Sequence, residues 1–129
     1  MLKEVNVLAS ICVSIVCSAS WAQSASPESR PPMKRDVYLV LTKSSLNGAC
    51  DIPNSPYACM VKDVEVCRKN LPIAIDQCEG KMKNQMPAEI KPEESRHWST
   101  QFARCIVDDY VLLAGAANLN PGKCPRGGQ

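Results

Sequence analysis

The sequence predicts an all-α protein, a small bundle of three or four helices cross-linked by disulfides. Three observations support this prediction. The chain has eight cysteines in 129 residues, a density typical of small exported domains. Apolar residues recur at steps of three and four in several segments, which is the period of an amphipathic helix. Gly, Pro and Ser residues separate these segments, and they supply starts and stops for helices.

The first 22 residues have the organisation of a Sec-type signal peptide. A charged start with Lys3 precedes an apolar stretch over residues 5–17, which is too short to cross a bilayer as a helix. Ser20 and Ala22 are the small residues expected before a cleavage site, here after Ala22. The alternative is a membrane anchor. The apolar stretch is too short for an anchor, so no stable membrane insertion is expected. The segment favours a bacterial periplasmic protein, with a secreted extracellular protein as the alternative.

Cleavage after Ala22 removes Cys12 and Cys17 and leaves an even number of cysteines, which predicts three disulfides. No two of them form a Cys-x-x-Cys pair, so neither a redox motif nor a zinc site is predicted. The pairing stays open, although Cys67 and Cys78 would face each other if the chain folded back near Pro72. The six candidates are Cys50, Cys59, Cys67, Cys78, Cys105 and Cys124.

Residues 23–32 are rich in Ser and Pro and predict a flexible leader, so the folded domain is expected over residues 33–129. Residues 34–46 have both helix and strand character. Val37, Val40 and Leu41 share one helical face, and no second strand is predicted to pair with this segment. We therefore interpret it as a helix that ends at Asn47-Gly48.

The strongest start signal is Ser55-Pro56, a capping residue followed by proline in the first helical position. Asn70 and Pro72 are expected to interrupt this helix, and a second helical segment covers residues 73–86. The first segment has a predicted buried stripe made of Tyr57, Met60, Val61 and Val64. The second segment has Ile75, Cys78 and Met82 on one face.

After a loop over residues 87–92, Pro92 and two glutamates open the longest predicted helix, which ends near Gly115. The turn-rich tail over residues 118–129 is expected to be held by Cys124. Residues 110–119 are apolar and small, so they predict either a core segment or a close helix contact between two copies, a possible homodimer. The predicted core face of this helix consists of Trp98, Phe102, Cys105, Ile106, Leu112 and Leu113.

Polar residues form a stripe on the opposite side of the same helix. They predict either a solvated face with an Arg104–Asp108 ion pair or a surface that binds a partner. His97 is the single histidine of the chain, and no nucleophile is placed beside a base by any motif. We therefore expect no enzyme activity, no cofactor and no metal site. The stripe consists of Glu94, His97, Gln101, Arg104 and Asp108.

The charges are balanced, with 15 basic and 13 acidic side chains, and this composition does not indicate a nucleic-acid-binding protein. The sequence predicts an exported non-enzymatic binding protein, a periplasmic inhibitor or immunity-type protein. Its expected partner is a protein such as a toxin or a cell-wall hydrolase. The alternative is a structural or assembly accessory of an envelope complex, such as a pilus, secretion or conjugation apparatus.

Overall fold

The computed structural model of the chain describes residues 30–122 and residue 124. The predicted signal peptide and most of the predicted leader lie outside these residues. Within them the protein is mostly helical, with four α-helices and one very short sheet, which confirms the predicted fold class. The elements are β1 (Met33–Lys34), α1 (Arg35–Ser45), α2 (Pro56–Cys59), α3 (Val64–Lys83), β2 (Glu89–Ile90) and α4 (Ser95–Ala114), with 3₁₀ turns at Ala49–Asp51, Pro92–Glu94 and Ala116–Asn118.

The two longest helices, α3 and α4, form the centre of the core. They are antiparallel, since the bridge between Val61 and Leu119 places the start of α3 beside the end of α4. The predicted buried face of the second helical segment is confirmed, because Ile75, Cys78 and Met82 are all buried. The buried side chains of α3 and α4 are Cys67, Asn70, Leu71, Ala74, Ile75, Cys78, Met82, Phe102, Ile106, Tyr110 and Ala114.

Most of residues 34–46 form a helix as the sequence predicted, since α1 covers Arg35–Ser45, and it turns Tyr38 and Leu39 into the core. Val37, Val40 and Leu41 do share one face, but it points away from the core. Their side chains are 47%, 57% and 54% exposed. Amphipathic periodicity therefore identified the helix but not the side that is buried.

The sheet fixes this orientation, and no pattern in the sequence indicated it. Met33 and Lys34 pair antiparallel with Ile90 and Glu89, directly before α1 begins. The Arg35 backbone N–H then donates to the carbonyl of Ala88 at 2.9 Å. The expectation that residues 34–46 have no strand to pair with was therefore wrong for Lys34. A ladder of two residues is too short to produce the alternation of apolar and polar residues that predicts a strand.

The Ser55-Pro56 start is confirmed, and Ser55 Oγ accepts from the Tyr57 N–H at 3.3 Å. The helix is much shorter than predicted because α2 ends at Cys59. A new start follows, in which the Asp63 carboxylate accepts from the Glu65 N–H at 2.9 Å. The break moves Val64 out of the predicted buried stripe, and its side chain is 38% exposed.

The predicted interruption at Asn70 and Pro72 is wrong, because α3 runs through both residues. Proline lacks an amide hydrogen, so the carbonyl of Arg68 loses its helical partner at this turn. The Asn70 side-chain amide donates to the Val66 carbonyl at 2.9 Å one turn earlier. Contacts with α4 on one side and α1 on the other bury this stretch of α3, and this packing outweighs the local cost of the proline.

The predicted start and end of α4 are confirmed, with Pro92–Glu94 forming a 3₁₀ turn before it and Gly115 after it at φ 78°. Glycine takes this left-handed conformation without the strain that a side chain would add. The predicted core face is correct for Phe102 and Ile106 but wrong at its end, since Leu112 and Leu113 are 79% and 37% exposed. The buried stripe of α4 continues through Tyr110 and Ala114 instead, so the two leucines lie on the outer side of its last turn.

All six predicted cysteines form disulfides, which confirms the prediction of three bridges. The suggested Cys67–Cys78 pair is wrong, because both residues lie on the continuous helix α3. The bridges are Cys50–Cys67, Cys59–Cys124 and Cys78–Cys105. They join the turn before α2 to α3, the tail to α2, and α3 to α4.

Candidate partner-binding site

The polar stripe predicted on α4 lies along one side of the helix, but only some of its residues are exposed. His97, Arg104 and Asp108 are exposed, whereas Gln101 is half-buried. Glu94 lies in the turn before α4, and its carboxylate accepts from the Lys91 N–H at 3.1 Å. This bond gives Glu94 a capping role at the helix start. Partner binding by the stripe stays a prediction.

The expected ion pair between Arg104 and Asp108 is not among the salt bridges of the described residues. The neighbouring carboxylate, Asp109, is the one that pairs, and it accepts from Lys81 Nζ at 2.7 Å and 2.8 Å. Because Asp109 points towards α3, it joins the two central helices. Arg104 and Asp108 instead border a shallow depression on the outer side of α4.

Sequence reasoning missed a deeper cleft between the end of α1, the turn at residues 49–51 and the middle of α3. Its volume is about 280 Å³. Leu46, Leu71 and Ile75 supply apolar surface, and the backbone around Gly48 closes one end. Gly48 has φ 75°, so the chain can turn sharply here and carry residues 49–51 back to α3. We call this feature the charged cleft, after the ion pairs on its rim.

One rim of the charged cleft is built by Lys43 of α1. Its ammonium lies 2.5 Å from Asp76 Oδ1 and 3.1 Å from Glu79 Oε2, both on α3. These two hydrogen bonds raise the pKa of Lys43, with the bond to Asp76 as the larger cause. Lys43 is therefore a cation with two carboxylate partners at the edge of the cleft.

Another part of the rim is built by Arg68. Its Nε and Nη2 atoms both donate to Asp51 Oδ1, at 2.9 Å and 2.5 Å, and Nη1 donates to Glu65. These bonds raise the pKa of Arg68, with the bond to Asp51 as the largest cause. Exposed pairs of this kind add little stability, typically below about 1 kcal/mol. Their effect is to place one guanidinium and one ammonium at defined positions around an apolar floor.

The arrangement places apolar surface next to charges of both signs. An apolar side chain of a partner would contact Leu46 and Ile75, and polar groups beside it would meet charges of both signs. Sequence periodicity could not have revealed the cleft, because Lys43, Asp51, Arg68 and Asp76 come from three separate segments. The only local signal is the pair Asp76 and Glu79, which are three residues apart and therefore share one side of α3.

A second cluster of chemically active residues lies between α3 and α4. Cys78 Sγ is 3.4 Å from Asp109 Oδ2, and Cys105 completes the group. The two sulfur atoms are bonded to each other, so neither is a thiolate that could bind a metal ion. The arrangement is a buried disulfide with a carboxylate beside it.

Residues 57–115 match a protein family described as "T2SS substrate NttA", where T2SS denotes the type II secretion system. The chain is similar to this family over just under half of its length. The matched part contains α2, α3 and α4 and leaves out α1 and the turn at residues 49–51. Only the Cys78–Cys105 bridge lies entirely within it, since Cys50 and Cys124 fall outside.

No curated protein and no solved structure matches the chain. Three disulfides require an oxidising compartment to form and persist. Together with the similarity to a family of secretion substrates, they identify an exported protein. Among the described residues, no helix combines the length and apolar character needed to span a membrane.

Proposed function

We propose that this exported protein is a secreted, non-enzymatic binding protein that inhibits a protein partner by covering part of its surface. The charged cleft carries the proposal, because it offers an apolar floor and fixed charges on a body held by three disulfides. A preorganised surface loses little conformational entropy on binding, so more of the contact energy becomes affinity. No pair of a nucleophile and a base lies at this cleft, whose charged residues are already joined in ion pairs.

The cleft favours a partner segment with one apolar side chain between polar groups. Its volume of about 280 Å³ matches one large side chain rather than an extended ligand. A carboxylate next to that side chain would reach Arg68 or Lys43, which both line the cleft. A toxin or a cell-wall hydrolase would fit this description if such a segment borders its active site, as expected for inhibition of the immunity type.

The destination we propose is the extracellular medium rather than the periplasm. The similarity to a family of type II secretion substrates supports this choice. The test is fractionation of the producing bacterium with and without a functional type II secretion system. We expect the processed chain in the medium only when the system works, and in the periplasm when it is inactive. Recovery from the periplasm in both strains would contradict the proposed destination.

A second candidate is an accessory of an envelope complex. The exposed leucines at the end of α4, Leu112 and Leu113, favour it because they could pack against another subunit. Cross-linking in intact cells followed by size-exclusion chromatography distinguishes the two. Stable incorporation into a large assembly supports the accessory, whereas a free chain supports the inhibitor.

The binding test compares two charge reversals at adjacent residues. Arg68→Glu changes the rim of the charged cleft, and Lys69→Glu makes the same change at an exposed position that does not line it. With a purified partner from culture medium, we expect Arg68→Glu to weaken binding about tenfold or more, because loss of a charged contact costs about 1.5–3 kcal/mol. Lys69→Glu should leave affinity within about twofold. Equal effects of both variants would contradict a role for the cleft.

A further inference from the structure

Asn47 and Gly48 lie in the exposed turn that follows α1, and both line the charged cleft. An asparagine side chain ends in an amide carbon that the backbone nitrogen of the next residue can attack, provided that the two atoms can meet. Glycine leaves this approach open because it has no Cβ. A Cβ placed on Gly48 would have no atom within 4 Å apart from its chain neighbours, so there is room beside this backbone.

Hydrogen bonding distinguishes Asn47 from the other asparagines of residues 30–122. No carbonyl among the described residues accepts from the Gly48 N–H, whereas the Ser55 N–H, which follows Asn54, donates to the Ile52 carbonyl at 3.0 Å. Gly48 therefore has the one amide after a described asparagine that can turn towards the side chain without breaking a hydrogen bond of its own. The other positions after an asparagine are Leu71 inside α3, Gln85 and Leu119, which donate to the Met82 and Ala116 carbonyls, and Pro121, which has no N–H.

We infer that Asn47 is a site of spontaneous deamidation, in which the Gly48 nitrogen attacks Asn47 Cγ. A bond forms between these two atoms, and the bond from Cγ to Nδ2 breaks. Nδ2 leaves as ammonia with the proton of the Gly48 nitrogen, and a five-membered succinimide ring remains. Water then opens the ring and returns a proton to the nitrogen. Addition of water at Cγ produces aspartate, whereas addition at the backbone carbonyl carbon produces isoaspartate, in which the chain runs through the former side chain.

The modification changes the charge of the cleft. Among the side chains that line it, Lys43 and Arg68 are basic and Asp51 and Asp76 are acidic, so the lining is balanced. Either product adds one carboxylate at Asn47 and makes the lining net negative. Deamidation therefore weakens the attraction for a partner segment that carries a carboxylate, and this consequence rests on the function proposed above.

The isoaspartate product also lengthens the backbone by one carbon atom between residues 47 and 48. The Ala49 N–H donates to the Leu46 carbonyl at 3.1 Å across this bond, so the extra atom disturbs the turn. The bridge Cys50–Cys67 keeps the following residues attached to α3. We therefore expect a local change at this end of the cleft, with the helical bundle preserved.

Incubation of the processed, oxidised chain at mildly alkaline pH, followed by reduction, trypsin digestion and mass spectrometry, tests the site. Asn47 and Asn54 fall in the same tryptic peptide, residues 44–62, so their fragment masses compare them within one molecule. We expect Asn47 to deamidate at least about fivefold faster, because the Ser55 nitrogen must first give up a hydrogen bond. Equal rates at the two asparagines, or no change at Asn47, would overturn the inference.

Asn47→Gln is the matched variant for this measurement. It keeps the amide group, but its longer side chain would have to close a six-membered ring, which forms less readily. Position 47 should therefore stay unmodified over the same incubation, and modification at the wild-type rate would contradict the attack by the Gly48 nitrogen. Asn47 is exposed, so variants at this position should fold, and unchanged thermal melting verifies this.

The effect on the cleft is measured with the purified partner of the Arg68→Glu test. Asn47→Asp reproduces the charge of the aspartate product, and we expect it to bind about two- to fivefold more weakly than Asn47→Gln, as for an exposed charge. Equal affinities, in an experiment where Arg68→Glu weakens binding, would contradict the effect on the cleft. If Arg68→Glu has no effect either, the proposed binding function fails, and the peptide masses alone decide the modification site.

Discussion

The interface between α3 and α4 and the interface between α1 and α3 hold the same helix by different means. On the α4 side, Phe102, Ile106 and Tyr110 are at most 1% exposed, and a disulfide joins the helices. On the α1 side, Leu39 is buried but the flank is lined by ion pairs at the surface, such as Lys43 with Asp76. The centre of the bundle is therefore buried, whereas the flank beside α1 is exposed to solvent. Substitutions in these two regions should change the free energy of unfolding by very different amounts.

The largest expected difference is between truncations of one buried and one exposed side chain. Phe102→Ala should lower the free energy of unfolding by about 3–5 kcal/mol, because it removes a fully buried ring and leaves a cavity. Val40→Ala, on the exposed face of α1, should change it by less than about 0.5 kcal/mol. Urea denaturation of both variants measures this. Similar losses of stability would mean that the exposed face of α1 is covered by another molecule or segment under the conditions of the measurement.

The second prediction concerns the disulfides. Replacing both cysteines of the Cys78–Cys105 bridge by alanine should cost about 2–4 kcal/mol, and the cost should exceed that of removing Cys59–Cys124. The reason is that Cys78 is fully buried within the interface of α3 and α4. Thermal melting of the two double variants compares them.

A larger loss of stability on removal of Cys59–Cys124 would point to a different cause. The Cys59–Cys124 bridge closes a loop with a sequence separation of 65, against 27 for Cys78–Cys105. Chain-entropy arguments assign the larger stabilisation to the longer loop. A greater loss for Cys59–Cys124 would therefore show that restriction of the unfolded chain outweighs packing at the centre.

The smallest of these effects concerns Tyr110. Its hydroxyl donates to the Tyr57 carbonyl at 3.0 Å within the core, and burial raises the pKa of Tyr110 to about 12. Tyr110→Phe should cost about 1–2 kcal/mol at neutral pH, because the carbonyl loses its partner. Denaturant titrations at pH 7 measure this loss, and an unchanged stability would contradict it.

The same residue predicts the response to alkali. Since the pKa of Tyr110 is about 12 in the folded protein and about 10 in the unfolded chain, the folded state keeps its proton over this interval. Stability is then fully present below pH 10 and falls as the pH rises towards 12. Burial also raises the pKa of Tyr57, so Tyr110→Phe should remove part of this decline. An identical slope in the variant would exclude Tyr110 as a source.

The two regions also differ in how far the sequence predicted them. Periodicity placed Ile75, Cys78, Met82, Phe102 and Ile106 in the core correctly, because the central helices have neighbours on both sides and their apolar stripes decide their orientation. The pattern failed at α1, where Val37, Val40 and Leu41 suggested a face that the fold leaves open. A two-residue sheet and a hydrogen bond from Tyr38 to the Ser95 carbonyl, at 2.9 Å, determine that orientation instead.

The charged cleft could not be predicted from the sequence for a related reason. The polar stripe on α4 could be proposed from a single helix, and partner binding by it stays a prediction. The charged cleft depends on the bridge Cys50–Cys67, which brings the turn at residues 49–51 against α3. Since cysteine parity predicts the number of bridges but not their partners, the contact between Asp51 and Arg68 could not be anticipated.

The arrangement of the bridges has a consequence for proteolysis of this exported protein. The bond between Cys59 and Cys124 encloses both central helices, α3 and α4, and Cys50–Cys67 overlaps it at its beginning. Hydrolysis of any one peptide bond from Cys50 to Cys124 would therefore leave both pieces covalently attached. A single nick in the connection between α3 and α4 would produce two chains that still migrate as one molecule until a reductant separates them.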